Sequence, residues 1–301
     1  MSEDALVSAT FSACELCGAA DQELVLHSPR LDGPLVRCRR CGLVYVGRRL
    51  GDYTFAGRDD GRSQALAQRV AELGIVSHEV EAAELPLRLL ADRERLVRLQ
   101  SHAAAGGRLL DVGAATGTFL QVAEECFDAA GVEPDPITSE QARAAGHAVT
   151  TGSIADLDPD QTGFDAITMF HVIEHLDSPR AALVRAHELL RPGGIVMIET
   201  PTVDSVLFRV APGRWRQLIP DHYYFFSRAT LERLLSDCGF ASIAHEKVGR
   251  RVSLRFAADR LRRSGIPGSD AAATALRRLH LERLTVRVNP GDIMNVTARR
   301  R

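Results

Sequence analysis

The 301-residue sequence has a single lysine, Lys247, a single tryptophan, Trp215, and only 5% aromatic residues. Arginine therefore carries almost every cationic surface task. No apolar run approaches the roughly 18 residues that a membrane span needs, and no charged stretch precedes an apolar one at Met1. Those absences exclude a spanning helix and a recognisable export signal, so the expectation is a soluble, cytoplasmic chain. Internal repeats and low-complexity tracts are missing too. Neither charge sign dominates: the formal net charge is −2, which argues neither for nor against a nucleic-acid partner. Hydrophobic content of 45% and charged content of 25% are globular averages and exclude wholesale disorder, collagen and coiled coil.

The average hides an asymmetry. Residues 101–199 hold 15 acidic and 5 basic residues, whereas residues 250–301 hold 13 basic and 4 acidic. The basic stretch has two readings, a footprint for an anionic partner or a solvated face in a chain that uses arginine for everything.

Residues 1–50 are too short of apolar residues to build a core unaided. They hold Cys14-x2-Cys17 and Cys38-x2-Cys41, each pair followed by a glycine, Gly18 and Gly42. A C-x2-C turn brings two thiolates to one ion, and two such knuckles make a four-sulfur zinc ribbon. A closed four-thiolate site leaves no position for chemistry, so the zinc is expected to be structural, with Arg37, Arg39 and Arg40 offsetting its negative charge.

Residues 51–100 read as a helical linker or cover, with Leu66, Val70, Leu73, Leu85, Leu89, Leu96 and Leu99 at helical spacing. Tyr53 and Phe55 are candidates to fold over the pocket. From residue 101 short apolar strands alternate with amphipathic helices, the pattern of a parallel α/β sheet. Expected strands are Arg108–Val112, Ala129–Glu133, His147–Thr151, Phe164–Phe170, Gly194–Glu199, Ala241–Val248 and Asp292–Arg299. Expected helices are Thr118–Phe127, Thr138–Ala145, Ser178–Leu190 (stopped by Arg191-Pro192-Gly193-Gly194), Arg228–Cys238, Leu254–Arg263 and Ala271–Leu284. Two insertions interrupt this 101–301 domain, a substrate cover at about 202–226 and a helical one at about 252–285.

The chemistry concentrates in two places. Leu109-Leu110-Asp111-Val112-Gly113-Ala114-Ala115-Thr116-Gly117 is a strand entering a glycine-rich turn before a helix. Asp111 stands where dinucleotide loops carry an apolar residue, and an anion there repels a pyrophosphate. Glu133 ends the next strand, where a carboxylate can accept both ribose hydroxyls. A cofactor with a free ribose diol, a cationic centre and no phosphate satisfies both, and S-adenosylmethionine is that cofactor. The second place is Phe170-His171-Val172-Ile173-Glu174-His175, at the carboxyl end of a strand, with Asp221-His222 further on.

Asp111–Gly117, Glu133 after Gly131-Val132, Phe164-Asp165, Glu174-His175-Leu176 and Leu190–Gly194 together resemble the class I S-adenosylmethionine-dependent methyltransferases. They are most similar to the ubiquinone-biosynthesis-like branch that carries an N-terminal zinc ribbon. The resemblance spans roughly residues 10–250. It implies a Rossmann-like seven-stranded sheet whose last strand is antiparallel, with cofactor across the carboxyl ends of the first strands. Gly113 and Gly117 would line its methionine portion, with Asp111 beside them; Glu133 would hold the ribose. Ser153 and Ile154 would flank the adenine, though many relatives have aspartate where Ser153 stands, and Phe170 joins the cofactor-binding set. Ala115 replaces a common glycine.

Methyl transfer to a hydroxyl or amine needs the nucleophile positioned and its proton removed. His175 or His222 is read as that base, with Glu174 orienting it and His171, four residues before His175, on the same helical face. Alternatively His171, Glu174, His175 and His222 gather a divalent metal, similar to small-RNA terminal 2′-O-methyltransferases, which have glutamate at the position of His171. Glu174-His175 could also merely pack the fold. Trp215 and Tyr223–Phe226 either stack on a planar substrate or close over apolar surface. His27, His78, His102 and His147 show no partner in the sequence, and His187 reads as an ordinary helix histidine.

The leading expectation is an enzyme that methylates an oxygen or nitrogen of a small molecule, such as a secondary-metabolite or cell-envelope sugar intermediate. One rival is an RNA methyltransferase gripping with the ribbon and the Arg-rich C-terminal region. Against it, residues 1–50 balance 6 basic with 6 acidic residues. A non-catalytic S-adenosylmethionine-binding module is the other rival.

Overall fold

The computed structural model describes residues 11–48, 68, 85–263, 268–282 and 284–301. The expectations for Tyr53, Phe55, Leu66, Val70, Leu73 and His78 fall outside these residues. Among the described residues no helix is long and apolar enough to cross a membrane.

The first strands among the described residues are short and antiparallel: β1 (Gln22–Leu26), β2 (Leu35–Cys38) and β3 (Val44–Val46). Helix α1 (Leu85–Gln100) then leads into alternating units: β4 (Arg108–Val112), α2 (Thr118–Ala123), β5 (Asp128–Glu133), α3 (Pro136–Ala144), β6 (Val149–Thr151), β7 (Phe164–Phe170), α4 (Pro179–Leu189) and β8 (Leu190–Pro201). The first insertion contributes α5 (Val206–Val210) and β9 (Tyr224–Phe225). After it come α6 (Arg228–Asp237), β10 (Phe240–Lys247), β11 (Arg250–Ser253), α7 (Leu254–Arg263), α8 (Ser269–Arg278), β12 (Thr285–Val288) and β13 (Ile293–Arg300).

Seven strands form one sheet in the order β10-β13-β8-β7-β4-β5-β6. Strands β4 to β8 run parallel, and β13 is antiparallel to both neighbours, as the resemblance implied. Side chains alternate between two buried faces. Leu110, Ile167, Val196 and Ile198 join one core; Leu109, Ala166, Ile195 and Met197 join the other, against Leu96 and Leu99 of α1.

Element ends moved for local reasons. Helix α3 begins at Pro136, not Thr138, because Asp135 caps it: its carboxylate accepts from the amides of Ile137 (2.8 Å) and Thr138 (2.9 Å). Helix α4 stops at Leu189 and the chain passes directly into β8, so Arg191–Gly194 begins a strand rather than terminating a helix. Helices α2 and α8 are shorter than expected, and β6 starts at Val149. The second insertion is pinched at its base by β11 and β12, which pair antiparallel from Arg250–Val288 to Ser253–Thr285.

Residues 1–50 are not a free-standing appendage where they are described. Strand β9 adds to β3, so the ribbon strands and the first insertion share a four-stranded sheet, β1-β2-β3-β9. Leu35, Val36 and Val44 pack in the same core as Tyr223, Phe225 and Leu231. The apolar deficit of this segment is met by the rest of the chain.

Candidate active site

Strand β4 lies between β5 and β7, and their carboxyl ends meet where open α/β sheets bind ligands. The turn after β4 needs its glycines. Gly113 and Gly117 have φ of +75° and +83°, and a Cβ on Gly113 would come within 2.5 Å of Val172. That contact sets the 171–175 loop directly against the glycine turn. Ala115 also sits in the left-handed region, at φ +48°, a conformation costing an L-residue about 1–2 kcal/mol. Its amide donates to Glu133 Oε2 (2.8 Å), and the Asp135 amide donates to Oε1 (2.9 Å). Each carboxylate oxygen keeps a further lone pair for a ribose hydroxyl. Burial raises the pKa of Glu133.

Asp111 is buried rather than open to the turn, and Thr168 Oγ1 donates to it at 2.6 Å. Burial pushes its pKa up to about 7 despite that bond. Ile154 is buried, whereas Ser153 is exposed and caps the 3-10 turn Ile154–Asp156, its amide and hydroxyl both donating to Asp156 Oδ2 at 2.7 Å. Phe170 stands edge-on to Phe119 with ring centroids 4.8 Å apart.

The histidine cluster is assembled differently from the expectation. Residues Ile173–His175 form one 3-10 turn and His171 has φ +57°, so His171 and His175 share no helical face. His175 Nδ1 instead faces Asp221, 2.9 Å from its carbonyl oxygen and 3.0 Å from its carboxylate. Burial disfavours the imidazolium, but the Asp221 charge and hydrogen bonds outweigh it and hold His175 up at about 9. His222 lies edge-on to His175 at 4.7 Å. Burial and the neighbouring His175 charge push His222 down to about 4, so it is the neutral member of the pair. Glu174 is fully buried, accepts from Thr200 Oγ1 at 2.8 Å and faces His171 Nδ1 at 3.3 Å. Burial opposes its charge, yet the histidines around it hold its pKa down at about 2. Donor atoms of Glu174, His175 and His222 lie within 4.8 Å of one another; His171 is outside that group.

His171 belongs to a second network that sequence reading missed. Its Nε2 lies 3.5 Å from Glu199 at the end of β8. Arg95 of α1 donates to the same carboxylate oxygen of Glu199 at 2.5 Å and to Asp92 at 2.8 Å, with its guanidinium 4.6 Å over the Phe170 ring. Asp92 and Glu199 are both buried. The signal available was a run of four charged residues, Asp92-Arg93-Glu94-Arg95, in a leucine-rich helix; the partner Glu199 lies 104 residues from Arg95.

Other placements are plainer. Trp215, Tyr223, Phe225 and Phe226 are at most 1% exposed, so they fill core and offer no face to a planar substrate. His147 has a partner after all: Glu124, at 2.9 Å. Asp165, at the other end of β7, accepts from the Arg108 amide and Arg191, a clamp far from the turn.

The four cysteine sulfurs gather within 4.8 Å of one another, with Cys14–Cys41 at 3.4 Å and Cys17–Cys38 at 3.5 Å. Tetrahedral zinc with bonds of about 2.3 Å places sulfurs roughly 3.8 Å apart, so the donor set fits that ion. Burial pushes the Cys14 thiol up to about 11, an environment that favours thiolate only when a cation is present. Gly18 and Gly42 take φ of +70° and +79° at the two knuckles. Arg37 lies 3.6 Å from Glu23 and Arg39 3.6 Å from Asp21.

With this geometry in view, comparison with known proteins is informative. A methyltransferase-domain family profile matches residues 81–245. A Mycolicibacterium smegmatis protein named a probable S-adenosylmethionine-dependent methyltransferase is 30% identical over 143 residues, 46% of this chain and 54% of that protein. A tRNA U34 carboxymethyltransferase of Chromohalobacter salexigens is 28% identical, covering 46% and 45%. A ubiquinone biosynthesis O-methyltransferase of Xanthomonas oryzae is 30% identical, covering 36% and 48%. The chain thus spans about half the length of these relatives. Among solved structures, a chain from the complex of a Haloferax volcanii methyltransferase activator with a methyltransferase superposes with TM-score 0.53 at 16% identity, over 75% of this chain and 95% of that one. That likeness concerns the fold alone. The family match, covering more than half of the chain, and the seven-stranded sheet agree: the chain belongs to the methyltransferase-domain family and has the class I S-adenosylmethionine-dependent methyltransferase fold.

Proposed function

We propose that this protein transfers a methyl group from S-adenosylmethionine to an oxygen or nitrogen of a small molecule, in the class of secondary-metabolite or cell-envelope sugar intermediates. The observation that carries the reading is the Asp221–His175 pair, held at 3.0 Å on a loop that packs against the glycine turn through Val172. Glu133 and Gly113–Gly117 would hold the cofactor, which supplies an already activated methyl group. His175 would take the acceptor's proton at Nε2, since Nδ1 faces Asp221. Asp221 fixes the tautomer and stabilises the imidazolium, and Glu174 supports both histidines from beneath.

This reading keeps a proton at the cluster rather than a second divalent metal. Both oxygens of Glu174 already have partners in His171 and Thr200, and His175 Nδ1 has Asp221. Zinc at Cys14, Cys17, Cys38 and Cys41 is part of the proposal, in a structural role, because four thiol ligands leave no site for an acceptor atom. Zinc content near one equivalent per chain is the expected result.

A second reading, an RNA acceptor, draws on the relative that acts on tRNA. Part of the basic C-terminal stretch is committed elsewhere: Arg251 and Arg287 pair with Glu94, while Arg299 and Arg300 donate to the carbonyls of Gly193 and Leu190. The deciding experiment is transfer of labelled methyl to two sets of acceptors, small hydroxyl and amine compounds and bulk RNA. Label in the small-molecule set supports the first reading; label in RNA alone replaces it. Cofactor binding without transfer to either set would favour the non-catalytic module.

A further inference from the structure

The ribbon strands touch the acid–base loop by a short covalent and hydrogen-bonded route. Tyr45 and Val44 pair with Tyr224 and Phe225 of β9. The Val46 amide donates to the Tyr223 carbonyl (2.8 Å), and the Tyr223 amide donates to the Glu174 carbonyl (2.9 Å). Tyr223 therefore sits between the ribbon and the 3-10 turn bearing Glu174 and His175, and its chain predecessors are Asp221 and His222. Two further bonds tie the module to the start of α4, from Ser178 Oγ to Glu15 and from Arg180 to the Leu16 carbonyl (2.9 Å). Cys14 and Cys38 lie in the same apolar core as Tyr223 and Phe225.

A two-residue strand such as β9 cannot hold its own conformation; its position is set by what it pairs with. In this sheet the pairing partner is β3, which begins three residues after Cys41. Among the described residues, buried Asp221 Oδ1 and His222 Nδ1 have no hydrogen-bond partner. The segment is held by His175 at Asp221 and by the Ile219 carbonyl at the His222 amide, and its C-terminal flank, Tyr223, is bonded to both Glu174 and Val46.

We propose that the four-cysteine module is a positioning element of the acceptor site: with its metal bound it holds β3, β3 holds β9, and β9 places Asp221 and His222 against Glu174 and His175. Val46, through its amide, is the positioning residue at the joint. The inference rests on the acid–base reading of Asp221–His175, and its test is independent of methyl transfer. The 301-residue protein is compared in three forms: zinc-loaded, chelator-stripped, and zinc-loaded Val46→Pro, which removes the Val46 amide that donates to the Tyr223 carbonyl while leaving every cysteine. Hydrogen exchange of the 221–226 and 173–176 segments should quicken roughly three- to tenfold in the latter two, the range for one lost backbone hydrogen bond. The His175 imidazole, followed by NMR, should titrate nearer its ordinary value of about 6.5 as Asp221 moves away. Adenosylhomocysteine affinity should stay within about twofold, because Glu133 and the glycine turn stand on other strands. Val46→Ala, which keeps the amide, should restore the wild-type exchange and titration. Fast exchange confined to residues 11–48, with 221–226 and the His175 titration unchanged, overturns the proposal. Parallel loss of adenosylhomocysteine binding overturns it too, since that marks general unfolding rather than a local joint.

Discussion

The two ends of the site are built on opposite plans. At the proposed cofactor side the groups are nearly contiguous: Asp111 lies in β4 just before the turn that holds Gly113, Ala115 and Gly117, and Glu133 closes on that turn from the adjacent strand. At the proposed acid–base side the groups come from four separated segments, Asp92–Arg95, His171–His175, Glu199–Thr200 and Asp221–His222, which are joined across the chain by Arg95–Glu199, His171–Glu199, Thr200–Glu174 and His175–Asp221 contacts. A contiguous turn tolerates change around it, because its geometry is local. A network of distant charges fails as a unit, because each member is buried on the strength of the others.

His175→Ala should lower turnover roughly 10²–10⁴-fold with cofactor affinity nearly intact, the size expected for losing a general base; steady-state kinetics with parallel calorimetry would check it. Equal loss of both would dissolve the separation between the two sides. Arg95→Leu removes the cation shared by buried Asp92 and Glu199 and should destabilise the fold by about 3–5 kcal/mol, read by denaturant unfolding. Glu133→Ala should weaken adenosylhomocysteine binding by roughly 1.5–3 kcal/mol, with little effect on the titration of His175.

The pH dependence sharpens the comparison further. His175 is held up at about 9 in the fold against about 6.5 in the unfolded chain. Its pairing with Asp221 therefore adds stability that is fully present below pH about 6.5 and drains away as pH rises through about 9. A base must be unprotonated, so methyl transfer should run the other way and rise across the same interval. Melting temperature and rate measured over pH 6 to 10 should cross in opposite directions, and a rate that plateaus near pH 7 would remove His175 as the base. The smallest expected effect is on the cofactor side. Ala115→Gly relieves the positive φ but adds unfolded-state freedom, for a net gain of about 1 kcal/mol or less, with cofactor affinity preserved.

Local signals made much of the molecule legible before any coordinates. The strands of the seven-stranded sheet and the helices between them followed from alternating apolar text, and strands β4 and β7 and helix α7 fell on the expected residues, whereas α5, β9, β11 and β12 were not expected. The glycine turn and Glu133 could be found because their spacing along the chain is itself the geometry. The C-x2-C pairs were legible for the same reason, since each knuckle is a four-residue event. Errors arose where a short pattern had two solutions. His171 and His175 have helical spacing, yet a 3-10 turn and a left-handed residue put them in different networks. Trp215 and the aromatic run had two readings, a stacking surface or closure over apolar surface, and burial selects the second.

What the chain determines by itself is therefore the class of architecture, the cofactor-side turn and the gathering of four thiols, all encoded by residues close in sequence and by their periodicity. Tertiary structure alone decided that Asp221 partners His175, that Arg95 and Glu199 underlie Phe170 and His171, and that the ribbon shares a sheet with β9. Those pairings join segments from 46 to more than 100 residues apart. Nothing in a linear pattern selects among so many distant charges; burial does, by leaving stable only those that meet a partner of opposite sign.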